Sequence, residues 1–173
     1  RHAGTCTMLP LLLLLLATAH GLDRVAYEPT LASSDLGGRI TASTFLLEQP
    51  RCVFLNPNYT GAVIWLVVAE SDGSNFNNSL KPGSPGTAYQ SFPGGNPFYM
   101  TLGTNLQQYP CTPNPGNITV LRVGTETSCA KDPMRPTCNG PLPSPGPYRV
   151  KFLAINGSGP LADTVWSEDI TLR

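Results

Sequence analysis

Tyr148-Arg-Val-Lys-Phe-Leu-Ala-Ile-Asn156 sets Tyr148, Val150, Phe152 and Ala154 against Arg149 and Lys151. Successive side chains of a strand point to opposite faces, so this period of two reads as a strand with one face on a core and one turned away from it. A Gly-Ser-Gly-Pro turn follows, and then Asp163-Thr-Val-Trp-Ser-Glu-Asp-Ile-Thr-Leu172. The two segments read as a hairpin joined by a loop.

Working outward, the same reading recurs. Ala62-Val-Ile-Trp-Leu-Val-Val-Ala69 is continuously apolar, as a central strand covered on both faces should be. A helical segment is the competing reading, but the β-branched residues at 63, 64, 67 and 68 favour a strand. Ile40-Thr-Ala-Ser-Thr-Phe-Leu-Leu47, Phe98-Tyr-Met-Thr-Leu102 and Ile118-Thr-Val-Leu-Arg-Val123 supply three further short strands. No segment carries a helical period over eleven residues. The fold class implied is all-β: a single antiparallel sandwich with long Pro/Gly-rich loops. Trp65 and Trp166 read as core aromatics beside Tyr148 and Phe152. The polar stretch 75–96, with Pro82, Pro85 and Pro93 among glycines, reads as a long exposed excursion, either a binding loop or a connector without a role. Residues 107–117 form a similar loop around Cys111.

Met8-Leu-Pro-Leu-Leu-Leu-Leu-Leu-Leu-Ala-Thr-Ala-His-Gly21 reads as a secretory signal: a leucine run too short to span a bilayer, ending in small residues. Cleavage after Gly21 is the first choice and after Ala19 the alternative. Residues 1–21 are therefore expected to be removed, leaving residues 22–173 as one luminal or extracellular domain, enough chain for a single core. Four cysteines remain in it: Cys52, Cys111, Cys129 and Cys138. An even count in a secreted domain points to two disulfides. Three pairings are open to the sequence; Cys129–Cys138 with Cys52–Cys111 is the favoured one. Four Asn-x-Ser/Thr acceptor triplets, at Asn58, Asn77, Asn117 and Asn156, agree with a secretory route.

Much chemistry is missing from the pattern. Lys/Arg and Asp/Glu balance at 11 each, so there is no basic field for nucleic acid or anionic lipid. No histidine follows residue 20 and no Cys-x-x-Cys occurs, which removes the usual nucleophile pairs and zinc sets. Neither a Gly-x-Ser-x-Gly elbow nor a phosphate-binding glycine loop is present. Glu168-Asp169 reads as a solvated face. The expectation is a protein that is not an enzyme, without catalytic residue, metal, cofactor or small-molecule substrate.

Two resemblances go further. Pro-Tyr-x-Val-x-Phe-x-Ala-x-Asn followed by a Gly-rich turn resembles the late hairpin of fibronectin type III domains, and implies an immunoglobulin/fibronectin III-like sandwich with Tyr148 at the corner position. Residues 42–54 (Ala42-Ser-Thr-Phe-Leu-Leu-Glu-Gln-Pro-Arg-Cys-Val-Phe54), Trp65-Leu-Val-Val-Ala69, Leu121-Arg-Val-Gly124, Cys138-Asn-Gly-Pro-Leu-Pro-Ser-Pro-Gly-Pro-Tyr-Arg-Val-Lys-Phe152 and Asp163-Thr-Val-Trp-Ser-Glu-Asp169 resemble the luminal domain of the uroplakin III family, nearest its IIIb members. The resemblance runs from about residue 25 to the end and includes the four cysteines; the 75–96 stretch matches least. It implies a structural type I membrane glycoprotein that pairs with the tetraspanin uroplakin Ib. It further implies assembly with other uroplakins into the plaques, or asymmetric unit membrane, of the urothelial apical surface, in support of a permeability barrier. The membrane span and apical plasma membrane location belong to the resemblance, since no hydrophobic span follows the domain before Arg173. The alternative is a secreted or cell-surface adhesion or receptor-type module that recognises its ligand through the 75–96 loop.

Overall fold

The structure, a computed structural model, describes residues 22–71 and 75–173; the signal segment read at 1–21 lies outside the described residues. It is all-β. The strands are β1 (Asp23–Val25), β2 (Phe45–Glu48), β3 (Val63–Glu70), β4 (Phe98–Asn105), β5 (Val120–Val123), β6 (Tyr148–Asn156) and β7 (Gly159–Thr164). Five of them form one sheet in the order β1-β7-β6-β3-β4, and β2 pairs with β5 in a second. All pairings are antiparallel except β1 with β7, which is parallel and corrects the purely antiparallel expectation.

The core lies between the sheets and follows the alternation. β3 contributes Ile64, Leu66 and Val68; β6 contributes Tyr148, Val150, Phe152 and Ala154; the small sheet answers with Phe45, Leu47 and Val123. Tyr148 and Phe152 are almost wholly buried. The opposite face of the large sheet carries a second apolar layer of Val67, Met100 and Leu153, covered by Phe76. Both faces of β3 are therefore buried, which is why its sequence shows no polar alternation.

Several strand limits differ from the sequence reading. Residues 40–44 turn rather than extend, because Thr41 Oγ1 accepts from the amides of Ser43 and Thr44 at 3.2 and 3.0 Å. The 118–123 strand starts at Val120, and Ile118 is 77% exposed. β4 runs on past Leu102 to Asn105 through a bulge, where Leu102 takes φ 54°. An extra residue on one strand needs such a bend, and a left-handed leucine there is strained. The second hairpin strand begins earlier than Asp163: Asn156 pairs with Gly159, so the turn is tight, and the strand ends at Thr164. Beyond it the chain touches β6 again through a bridge between Tyr148 and Ile170.

The 75–96 stretch is an exposed excursion only in part, with residues 77–86 exposed or half-buried between buried anchors. Phe76, Thr87, Ala88, Tyr89 and Phe92 are buried, and Tyr89–Gly94 is a 3-10 helix against the core. Four apolar anchors within a Pro/Gly-rich segment hold it down, and composition alone conceals them.

Candidate functional site

The outer face of the large sheet carries a buried charge cluster. Arg24 is level with Asp163 in the β1–β7 register, and Leu153 is opposite Asp163 in the β6–β7 register. Lys151, two residues before Leu153, points to the same face. The Asp163 carboxylate thus sits between cations of two neighbouring strands. It accepts from Arg24 Nε at 2.8 Å, Arg24 Nη2 at 3.3 Å, Lys151 Nζ at 3.0 Å and Asn78 Nδ2 at 3.0 Å. Lys151 Nζ also donates to Asn78 Oδ1 at 2.7 Å and lies 4.8 Å from the Trp166 ring centre and 5.5 Å from that of Phe76. The Asp163 and Lys151 side chains are 1% and 4% exposed, that of Arg24 60%.

Burial of this kind penalises both charges. Desolvation pulls Lys151 below the usual lysine range, with the Asp163 contact opposing it. Burial alone would raise Asp163; the hydrogen bonds from Arg24, Lys151 and Asn78 outweigh it and hold the carboxyl below its ordinary value. Every oxygen and nitrogen of the pair is engaged, so the cluster binds the 75–79 segment, β1, β6 and β7 together. It offers no free group to a substrate and acts as a lock.

Trp65 and Trp166, read from the sequence as core aromatics, lie on this face, each partly buried against the outer apolar layer. The Trp65 ring lies against Gly103 just past the β4 bulge: a Cβ there would meet its six-membered ring at 2.5–2.6 Å. Beside it, Val63, Trp65, Leu80, Ile155, Asn156 and Pro160 border an open groove of about 500 Å³.

The remaining sites are scattered. Cys52 is bonded to Cys111, with Cα atoms 4.5 Å apart, and Cys129 to Cys138, with Cα atoms 5.7 Å apart. The first bridge is exposed; the second is buried. Glu126 lies beside Cys129 and Cys138, but those sulfurs are committed to each other and leave no thiolate for a metal. Asn58, Asn77 and Asn117 are exposed and Asn156 is partly so. In two triplets the serine amide donates to the acceptor asparagine: Ser79 to Asn77 Oδ1 at 2.9 Å and Ser158 to Asn156 Oδ1 at 2.8 Å. Asn58, Asn117 and Asn156 share one pole of the sandwich: they lie just before β3, just before β5 and at the end of β6. Arg173 is at the other pole, its amide on Thr41 O at 3.2 Å. Asp169 of the Glu168-Asp169 pair holds Arg149 Nε at 2.9 Å. Among the described residues no helix is long and apolar enough to cross a membrane.

Sequence reasoning missed Asn78 and Asn139. Asn139 Oδ1 accepts from Gly124 N at 2.8 Å and its Nδ2 donates to Arg122 O at 3.0 Å, tying the end of β5 to the Cys138 segment. A lone asparagine in a loop carries no local signal of such a role; only the partners reveal it.

No family model matches the chain. Uroplakin-3b-like protein 1 of Bos taurus is 41% identical over 174 residues, covering 98% of this chain and 68% of that protein. Uroplakin-3b-like protein 1 of Homo sapiens is 40% identical over 178 residues, covering 99% of this chain and 65% of that protein. Uroplakin-3a of Bos taurus is 29% identical over 177 residues, covering 84% of this chain and 58% of that protein. The chain spans about two thirds of the length of the uroplakin-3b-like relatives. Identity at this level over nearly every residue described above is far beyond what a shared fold requires, and the chain belongs to the uroplakin III family.

Proposed function

We propose that this chain is the luminal ectodomain of a type I membrane glycoprotein, structural rather than enzymatic. In this reading it pairs with a tetraspanin of the uroplakin Ib type and, with other uroplakins, contributes to urothelial apical plaques and their permeability barrier. The observation that carries the reading is the 41% identity to bovine uroplakin-3b-like protein 1 across 98% of the chain. Residues 1–21 are read as a removed signal and 22–173 as the ectodomain. Two disulfides and four acceptor asparagines with accessible side chains support passage through an oxidising lumen.

The sandwich is read as immunoglobulin/fibronectin III-like. Its support is the β1-β7-β6-β3-β4 order packed on β2-β5, together with the Tyr148 hydroxyl, which donates to Ser144 O at 2.7 Å, four residues upstream, as a corner tyrosine does. Any chain continuing past Arg173 leaves from the pole opposite Asn58, Asn117 and Asn156, so sugars at those positions would project away from the anchor. The adhesion-module alternative drew on an exposed 75–96 loop; Phe76, Thr87, Ala88, Tyr89 and Phe92 anchor that segment on the fold, and no other observation favours it.

The test is co-expression of the full-length protein with uroplakin Ib in mammalian cells. Enrichment of the tetraspanin on pull-down, and endoglycosidase-H-resistant sugars on the protein only when both are present, are expected. No enrichment and exit independent of the tetraspanin would overturn the reading.

A further inference from the structure

A hydroxyl residue stands directly before proline at Ser84-Pro85, Thr112-Pro113 and Ser144-Pro145. At Thr112 and Ser144 a second proline follows three positions on, Pro115 and Pro147. Proline bars the residue before it from the helical region, so both segments favour the extended chain that a glycosyltransferase takes into its groove. Hydroxyl residues among prolines are the compositional mark of mucin-type O-glycosylation. The sequence pattern fits both positions equally; their surroundings do not.

Ser144 is tied down. Its amide donates to the Tyr148 hydroxyl at 3.2 Å, its own hydroxyl lies 3.0 Å from the same oxygen, and its carbonyl accepts from it at 2.7 Å. The next carbonyl, Pro145 O, accepts from the Leu172 amide at 2.8 Å. Ser84 Oγ is engaged as well, donating to Lys81 O at 2.8 Å. Thr112 differs. It is exposed, and among the described residues no hydrogen bond engages its hydroxyl, its amide or its carbonyl. The Asn114 amide is equally unengaged among them, and Pro113 has none to offer.

This short free run is held between fixed ends. Cys111 is bonded to Cys52, and its carbonyl accepts from Arg51 Nη1 at 3.4 Å. On the other side Asn117 N donates to Asn114 O at 3.0 Å, closing a Pro115-Gly116 turn in which Gly116 takes φ 84°. An enzyme can therefore pair with the backbone of residues 112–114 without breaking any bond of the fold. The loop joins the end of β4 to the start of β5, so Thr112 stands at the pole of Asn58 and Asn117.

We propose that Thr112 is the acceptor of a mucin-type, O-linked N-acetylgalactosamine, and that the Tyr148 contacts withhold Ser144 from the same reaction. This rests on the luminal reading of the chain, because the donor, a nucleoside-diphosphate sugar, and its transferase act in the secretory lumen. In the transfer the bond from Thr112 Oγ1 to C1 of the sugar forms and the bond from C1 to the diphosphate oxygen breaks. The hydroxyl proton leaves with the nucleoside diphosphate, and nothing is oxidised or reduced.

The test uses the full chain secreted from mammalian cells. N-glycans are removed with a peptide amidase, which marks each occupied asparagine as aspartate, and electron-transfer mass spectrometry then locates any remaining sugar. An N-acetylhexosamine on Thr112 is expected, with Ser144 bare. It should disappear in cells lacking the epimerase that makes the N-acetylgalactosamine donor and return when N-acetylgalactosamine is fed. Pro113→Ala/Pro115→Ala should lower occupancy several-fold. The wild-type chain decides the matter if that variant is not secreted. Thr112 bare beside any occupied acceptor asparagine overturns the inference alone. Thr112 bare in a chain whose asparagines are all bare overturns it together with the luminal reading. A sugar on Thr112 that persists in the epimerase-deficient cells overturns the sugar class, and one on Ser144 overturns the protection assigned to Tyr148.

Discussion

Asp163→Leu should be among the most damaging single changes in the outer layer. It removes four hydrogen bonds and leaves the Lys151 ammonium, 4% exposed, with only Asn78 Oδ1 at 2.7 Å and two aromatic faces for company. Breaking a buried pair by deleting one partner costs about 3–5 kcal/mol. Lys151→Met is milder, because Asp163 keeps Asn78 and Arg24, and Arg24 is 60% exposed and carries the charge toward water. Its cost is about 1–3 kcal/mol, the range for an unmade bond to a charged group. The double variant Lys151→Met/Asp163→Leu replaces the pair by apolar groups and should be less destabilised than Asp163→Leu alone. The assay is urea unfolding at pH 7 with disulfides intact, read with Tm. At roughly 2–4 °C per kcal/mol for a chain of this size, Asp163→Leu should lower Tm by about 6–20 °C. The acid limb adds an independent reading. The folded Asp163 carboxyl is held below its ordinary value, so it stabilises above the unfolded carboxylate range and loses that contribution as pH falls through its folded value. Asp163→Leu should show a correspondingly weaker acid destabilisation. Losses in the two single variants that simply add in the double would refute the lock.

Three further outcomes are expected. Gly103→Ala should cost about 1–3 kcal/mol in urea unfolding and alter Trp fluorescence, since the new methyl meets the Trp65 ring; an unshifted spectrum and midpoint would contradict the packing. Under graded reductant, the exposed Cys52–Cys111 bridge should open before the buried Cys129–Cys138 bridge by differential alkylation. Tyr59 and Tyr109 are pushed up from 10.0 to about 12, chiefly by burial, so the folded state keeps protons that the unfolded chain sheds. Stability should therefore fall as pH rises from the ordinary tyrosine range towards those folded values, and Tyr109→Phe should flatten that limb in alkaline titration.

What the sequence by itself determined is the approximate place of six of the seven strands, β1 excepted, and which side of β6 meets the core. Tyr148, Val150, Phe152 and Ala154 face the core between the sheets because a period of two is a local property, readable within five residues, whereas in the continuously apolar β3 only the packing selects Ile64, Leu66 and Val68 for that side. The relation to the uroplakin III family was equally legible, since it rests on residue identity spread over the chain. The four cysteines were visible, but which sulfur meets which was left to the Cα separations of 4.5 and 5.7 Å.

Only the tertiary structure decided what covers the other face. Lys151 points where alternation says it must, yet it is buried, because Asn78 arrives from 73 residues away and Asp163 is held by Arg24 from 139. The same covering draws Trp166 and Phe76 over the ammonium, leaves Trp65 at the edge of an open groove, and pins a Pro/Gly-rich stretch that composition alone describes as loose. Alternation records the direction of a side chain, whereas burial depends on which distant segment packs above it.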